Sequence, residues 1–211
     1  MTVRIALTID TELRGRPADD GNPGRLLDIL AAERAPATFF VQGRWAGANR
    51  ELACRIRGDG HLIGNHSYYH VPMDLLTDAG IRESVTRAEE VIRAVTGSDP
   101  RPWFRCPYGA GEDDPRVVGL LAELGYANVS WDFETDDWAD GRDADELIGT
   151  IVDGCGACGD GARVLLHSWP DVTVTALPRI ITRLRDAGAE LVRLDDLGAA
   201  AARPAHGQDP L

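Results

Sequence analysis

Val3-Arg4-Ile5-Ala6-Leu7-Thr8-Ile9-Asp10-Thr11-Glu12 opens on an almost unbroken apolar run and stops at two carboxylates. A short run of this kind, rich in β-branched residues, reads as a buried strand. Working outward, Gly24–Glu33 carries apolar residues at helical spacing, and Ala37–Val41 is a second short apolar run. The alternation continues to the end of the chain. Apolar runs at His61–Asn65, Pro102–Arg105, Ala127–Trp131, Arg163–Leu166 and Glu190–Leu194 alternate with helical patterns at Arg50–Arg57, Ile81–Thr96, Pro115–Leu124, Ala144–Val152 and Ala176–Ala187. Gly60, Gly97, Gly125 and Gly188 stand where helices end before the next strand. Strand–helix alternation at this pace predicts an α/β fold with a parallel sheet wrapped by helices. Seven strands without a Gly-rich phosphate loop suit a closed or nearly closed barrel better than an open nucleotide-binding sheet. One domain is expected over residues 1–200, followed by a loosely ordered tail over 201–211.

Composition narrows the function classes. The chain has 211 residues, 44% hydrophobic and 27% charged, enough for one sizeable core. A formal net charge of -12 argues against a nucleic-acid partner and an anionic membrane surface, both of which need clustered basic residues. No apolar run approaches the roughly 20 residues that span a bilayer. The segment from Met1 lacks the pattern of a signal peptide, so a cytoplasmic location is the expectation. The four cysteines, Cys54, Cys106, Cys155 and Cys158, are too few for a disulfide scaffold.

In barrels of this type chemistry gathers where strands end. Asp10 and Glu12 follow the first strand two residues apart, on the same side of an extended chain, or serve as loop or capping carboxylates. His66 and His70 would meet on one face if their segment turns helical, forming a pincer for a metal, or share that spacing by chance. A carboxylate from another strand end would complete a three-ligand site with an open position. Arg105-Cys106-Pro107-Tyr108 could aim a guanidinium at a carboxylate and expose a backbone N–H, or form a surface turn. Trp131-Asp132-Phe133-Glu134-Thr135-Asp136-Asp137-Trp138 is a dense acidic loop, functional or merely solvated. His167 closes an apolar strand and is a core residue or a site residue. Three of the five histidines at such ends favour one hydrolytic site, with His61 and His206 outside it. Cys155-Gly-Ala-Cys158 reads as two loop thiols without function rather than a redox pair or half a zinc site, and Cys106 as a point of oxidation sensitivity. Trp45, Trp103 and Trp169 could line a sugar platform or belong to the core.

These segments, in this order, resemble the polysaccharide deacetylases of carbohydrate esterase family four, which share the NodB homology domain. The resemblance rests on Thr8-Ile9-Asp10-Thr11-Glu12, His66-Ser67-Tyr68-Tyr69-His70, Arg105-Cys106-Pro107-Tyr108, Glu134-Thr135-Asp136-Asp137-Trp138 and Leu165-Leu166-His167. It implies a distorted, TIM-like barrel of seven or eight β/α units and removal of acetyl with a divalent metal, zinc first, with cobalt, nickel or manganese as alternatives. On that pattern His66 and His70 bind the metal, Asp10 is the general base and Arg105 orients it. His167 is the general acid, held by Asp137. Trp138 and Leu165 wall the acetyl pocket, and Tyr108 contributes its backbone N–H. The first motif departs from the family's adjacent aspartates, and Glu12 is read as the carboxylate ligand; the alternative gives that place to Asp10. Ser168 stands where an aspartate is common, and Glu134 replaces an aspartate. The implied substrate is an acetylated sugar; the rival readings are a small non-sugar amide and a non-catalytic binding protein. The sequence leaves the oligomeric state open.

Overall fold

Successive residues of a strand face opposite sides, and β1 (Val3–Thr11) uses that period to separate core from site. Ile5, Leu7 and Ile9 lie in the main apolar cluster. The alternate residue Ala6 belongs to a second cluster, and Thr8 and Asp10, also buried, share its side of the strand. The computed structural model describes residues 2–12 and 21–202. The predicted tail at 201–211 lies outside the described residues from 203 onward.

After β1 come α1 (Asn22–Glu33), β2 (Thr38–Val41), α2 (Gly43–Ala48), α3 (Arg50–Gly58) and β3 (Leu62–Asn65). Then follow α4 (Asp78–Thr96), β4 (Trp103–Phe104), α5 (Pro115–Glu123), β5 (Ala127–Asn128), α6 (Ala144–Cys158), β6 (Ala162–His167), α7 (Asp171–Asp186) and β7 (Ala189–Val192). Short 3-10 turns lie at Met73–Leu75 and Pro107–Gly109, and a longer one at Leu194–Ala202. All strand pairings are parallel, in the order β5-β4-β3-β2-β1-β6, with β7 also on β1. β2 and β7 share one edge of β1, opposite Thr8–Thr11 and Val3–Ala6 respectively, while β6 takes the other edge.

The sheet curls into a distorted (β/α) barrel, and one stretch of chain joins its two margins. Val129 donates its N–H to the Phe104 carbonyl at 2.7 Å beside β4. A few residues later Asp132 donates to the Arg163 carbonyl at 3.1 Å, and Phe133 bridges Val164 in parallel beside β6. The junction at β6 is locked by a wholly buried ion pair, Arg163 Nη2 to Asp132 Oδ1 at 2.6 Å, and by the Arg163 N–H to Asp132 Oδ2 at 2.8 Å. α6 comes close against this junction at Gly154, where an added Cβ would stand 2.6 Å from the Phe133 ring.

The predicted strands and helices are all present, with shifted ends. β4 and β5 keep only two residues each of the runs expected there, because the chain turns away at Arg105 and leaves the ladder after Val129. α2 was not expected; its six residues include two glycines and give no apolar period. Gly60, Gly97, Gly125 and Gly188 all have positive φ, between 70° and 86°. No helix among the described residues is long and apolar enough to cross a membrane.

Candidate active site

Register places the chemistry at one end of the barrel. Asp10 pairs with Phe40 and His167 across β1, and Thr8 pairs with Thr38 and Leu165 one layer below. Above this layer opens a cleft of about 550 Å³, whose lining includes Asp10, Glu12, His70, Tyr108, Trp131, Glu134, Asp136, Trp138, Leu165 and His167. It lies at the carboxyl ends of the strands, where barrels of this kind carry their sites.

The expected helical pincer is a tight loop instead. Ser67 and His70 take left-handed φ of 60° and 59°. Asn65 Oδ1 accepts the Ser67 N–H at 2.9 Å, and Ser67 Oγ accepts the His70 N–H at 3.1 Å. This turn brings the two Nε2 atoms to 3.0 Å. His66 Nδ1 lies 3.0 Å from the Arg105 carbonyl, an acceptor, so Nδ1 carries the proton and Nε2 keeps its lone pair. Burial pushes the His66 pKa down to about 4, which keeps the ring neutral at pH 7. Glu12 Oε2 sits 2.7 Å from His70 Nε2. Burial disfavours the charged form of Glu12, but the His70 hydrogen bond and the charges of His70, His66 and His167 outweigh it and hold the pKa near 2.

Glu12, His66 and His70 thus offer ligand atoms all within 4.8 Å of one another. Two imidazole nitrogens and a carboxylate converging on one point are the donor set of an open divalent-metal site, and no comparable group is found among the described residues. Asp10 stands beside them, its Oδ2 3.5 Å from His66 Nε2.

Arg105 is buried in the barrel interior and holds that neighbour. Its Nη1 donates to Asp10 Oδ1 at 2.8 Å, its Nη2 to Thr8 Oγ1 at 2.8 Å and its Nε to the Val129 carbonyl at 3.0 Å. The guanidinium lies 4.1 Å from the Phe40 ring centroid, so the buried charge is hydrogen-bonded and faces a π surface. Across the cleft His167 Nδ1 meets Asp137 Oδ1 at 2.7 Å. Asp137 Oδ2 accepts the His167 N–H and the Thr173 hydroxyl, each at 2.7 Å. Burial lowers the His167 pKa, but the Asp137 hydrogen bond and charge, with smaller help from Asp10 and Glu12, raise it above the ordinary value. With Nδ1 committed to Asp137, Nε2 is the nitrogen available to the cleft.

The pocket wall holds the other expected residues. Leu165 is buried, while Trp138 and Tyr108 are exposed, and Tyr108 meets the His70 ring edge-on at 4.6 Å. Tyr108 has φ 59°, which turns its backbone sharply after Pro107.

Several sequence expectations change here. Cys106 is buried, and burial raises its pKa far above the thiol range, so its thiol is protected rather than oxidation-prone. Cys155 and Cys158 lie in the last turn of α6, not in a loop, and burial pushes the Cys155 pKa up to about 12. Trp45 is core, and Trp103 packs against an interior cluster. Trp169 is no open platform: it donates Nε1–H to Glu12 Oε1 at 3.1 Å. The aromatic residues that line the cleft are Tyr108, Trp131 and Trp138. Of the acidic loop, Asp132 is structural, Asp137 holds His167, and Glu134 and Asp136 face the cleft. His206 lies outside the described residues. Thr8 was missed as a site neighbour, and Trp169, expected in a sugar platform or the core, was not expected to bond Glu12. Thr8 could have been found by its place two residues before Asp10 on the same strand face; no local signal pairs Trp169 with Glu12.

Comparison with known proteins agrees with this picture. Residues 3–129 match the polysaccharide deacetylase family. A chitooligosaccharide deacetylase from Sinorhizobium fredii is 34% identical over 190 residues, covering 81% of this chain and 84% of that protein. The structure of a T48 deacetylase with substrate superposes with TM-score 0.80 at 32% identity, covering 95% of this chain and 92% of the other. A family 4 carbohydrate esterase pseudoenzyme from Bacillus anthracis superposes with TM-score 0.82 at 28% identity, covering 93% of this chain and 65% of the other. Other curated relatives are longer, and the chain spans 52% of one and 38% of another. With its fold, its strand-end residues and this match over more than half its length, the chain belongs to the polysaccharide deacetylase family.

Proposed function

We propose that the protein is a metal-dependent hydrolase that removes an N-acetyl group from an amino sugar or a related carbohydrate. The observation that carries this reading is the convergence of Glu12, His66 and His70 between two separately buttressed groups, Asp10 on Arg105 and His167 on Asp137. The donor set fits a divalent cation of the zinc type, because the His66 Nε2 lone pair and the ionised Glu12 carboxylate converge with His70 Nε2 on one point. Glu12, rather than Asp10, is the carboxylate of that set. When bound, such a cation supplies Lewis acidity to a water and to the acyl carbonyl.

The rest is done by the chain. Asp10, aimed by Arg105, takes the proton of the attacking water. The backbone N–H of Tyr108 faces the oxygen that gains charge as the carbonyl carbon becomes tetrahedral. His167, protonated at Nε2 and held through Nδ1 by Asp137, delivers that proton to the leaving nitrogen, which departs poorly as an anion. Trp138 and Leu165 enclose the acetyl methyl. The name of the Sinorhizobium fredii relative supports an acetylated amino-sugar oligomer as substrate.

The test is acetate release from N-acetylglucosamine oligomers by the zinc-loaded protein. His66→Ala is expected to lose metal and activity together. His167→Ala is expected to keep the metal and lose at least a hundredfold in turnover on the amide, and less on an aryl acetate ester, whose leaving group needs no proton. Full amide turnover in His167→Ala would remove the general-acid assignment. The pseudoenzyme among the structural relatives makes a non-catalytic reading concrete. Metal binding with no hydrolysis of any acylated sugar or small amide would favour it.

A further inference from the structure

Glu12 stands at an unusual place in its motif, two residues after Asp10 rather than beside it, and carries one methylene more than an aspartate. A longer side chain has more rotamers to lose, so a ligand of this kind needs something to hold it. One carboxylate oxygen, Oε2, faces His70 at 2.7 Å, and the other, Oε1, accepts the indole N–H of Trp169 at 3.1 Å. Trp169 lies in the turn between β6 and α7, 157 positions away in sequence. We infer that Trp169 is a positioning residue that fixes Glu12 as a metal ligand by holding the carboxylate oxygen turned away from His70.

The turn that carries Trp169 is itself clamped. Asn22, fully buried at the start of α1, donates both amide protons into it, to the Trp169 carbonyl at 2.9 Å and to Asp171 Oδ1 at 3.0 Å. The Ser168 N–H donates to the Asp10 carbonyl at 3.0 Å, which ties the same turn to the end of β1. The indole ring is half-buried and lies tilted against His167, with ring centroids 5.9 Å apart. Indole Nε1–H is a donor only, so its approach to Glu12 has one chemical meaning. Partners that orient ligands in this way typically change metal affinity 10–100-fold when removed, about as much as some ligands themselves.

The inference rests on reading Glu12 as a metal ligand, and a double-mutant cycle separates the two ideas. Zn²⁺ dissociation constants would be measured by competition with a chromophoric chelator for wild type, Trp169→Phe, Glu12→Ala and the double variant. Trp169→Phe keeps the ring and removes the donor; it is expected to weaken Zn²⁺ binding about tenfold or more and to shift the visible spectrum of bound Co²⁺. On the Glu12→Ala background the same substitution is expected to have no further effect, because the group it acts through is gone. Unchanged affinity and an unchanged Co²⁺ spectrum in Trp169→Phe would overturn the inference while leaving the metal site standing. An equal loss on both backgrounds would also overturn it, since that is the mark of a general structural role. A wild type that binds neither metal would sink both the inference and the functional reading. If Trp169→Phe does not fold, the wild-type indole N–H resonance of Trp169 decides. It is expected far downfield and to move upfield in Glu12→Gln, and no movement would overturn the inference.

Discussion

His61 is a histidine that the cleft does not use, and it makes the clearest single-residue prediction. Its Nδ1 accepts the Ala37 N–H at 3.2 Å, which places the proton of the neutral ring on Nε2, an atom buried without a hydrogen-bond partner among the described residues. Burial lowers its pKa from 6.5 to about 4, with the nearby Asp59 opposing and Arg55 and Arg193 assisting. As pH falls from 6.5, the unfolded chain takes up a proton that the folded chain refuses until about pH 4. Stability is therefore complete above 6.5 and declines through that window, by up to ~3 kcal/mol. Urea midpoints at pH 7 and pH 5 are expected to differ more for wild type than for His61→Gln, whose amide can accept from Ala37 without titrating. Equal differences in the two proteins would clear His61 of this role. Glu12 and His167 in the cleft present the opposite design, since against the effect of burial His70 holds Glu12 low and Asp137 holds His167 raised.

Where β6 meets the stretch after β5, the Asp132–Arg163 pair makes the corresponding prediction for an element. Both side chains are completely buried, so removing one takes from the other its buried counter-ion. Asp132→Ala is expected to cost about 3–5 kcal/mol in a denaturant titration. Replacing both by apolar residues of similar volume, as in Asp132→Leu with Arg163→Met, is expected to recover most of that loss. A double variant no more stable than Asp132→Ala would show that the pair's geometry, not its charge balance, holds the junction. This junction also marks how far the sequence could be read. The strand ends that carry Asp10, His66, Arg105 and His167 were legible because each closes an apolar run with a residue type that a core does not ordinarily keep. The pairing of Asp132 with Arg163, of Glu12 with Trp169 and of Asn22 with the Trp169 turn depends on register and packing between distant segments, and nothing local announces it. The metal loop was misjudged for a related reason. Two histidines four apart suit a helix, but Asn65 and Ser67 capture the backbone first and bend it into left-handed turns. α6 runs on through Cys155 and Cys158 despite three glycines, and one of these, Gly154, is the place where Phe133 comes within reach.

For the molecule as a whole, charge sets which substrates approach easily. The chain carries a net charge of -12, and the cleft mouth shows two exposed carboxylates, Glu134 and Asp136, with no arginine among the described residues that line the cleft. An anionic glycan is therefore expected to show a KM that falls as salt is raised toward 0.15 M, where screening acts over about 8 Å, while a neutral chito-oligosaccharide shows little change. Identical salt dependence for the two substrates would mean that the field of the protein does not reach the reacting sugar. The interior of the barrel has a different consequence. Arg105, Phe40 and Arg163 lie fully buried there with the apolar cluster around Phe40, in the manner of a packed core rather than a pore. The cleft therefore has a floor without an exit. On the proposed reaction, a small acid cut free there is expected to leave on the open side, past the trimmed sugar, so the order of departure follows from architecture: while the sugar still stands over the floor, the acid beneath it waits.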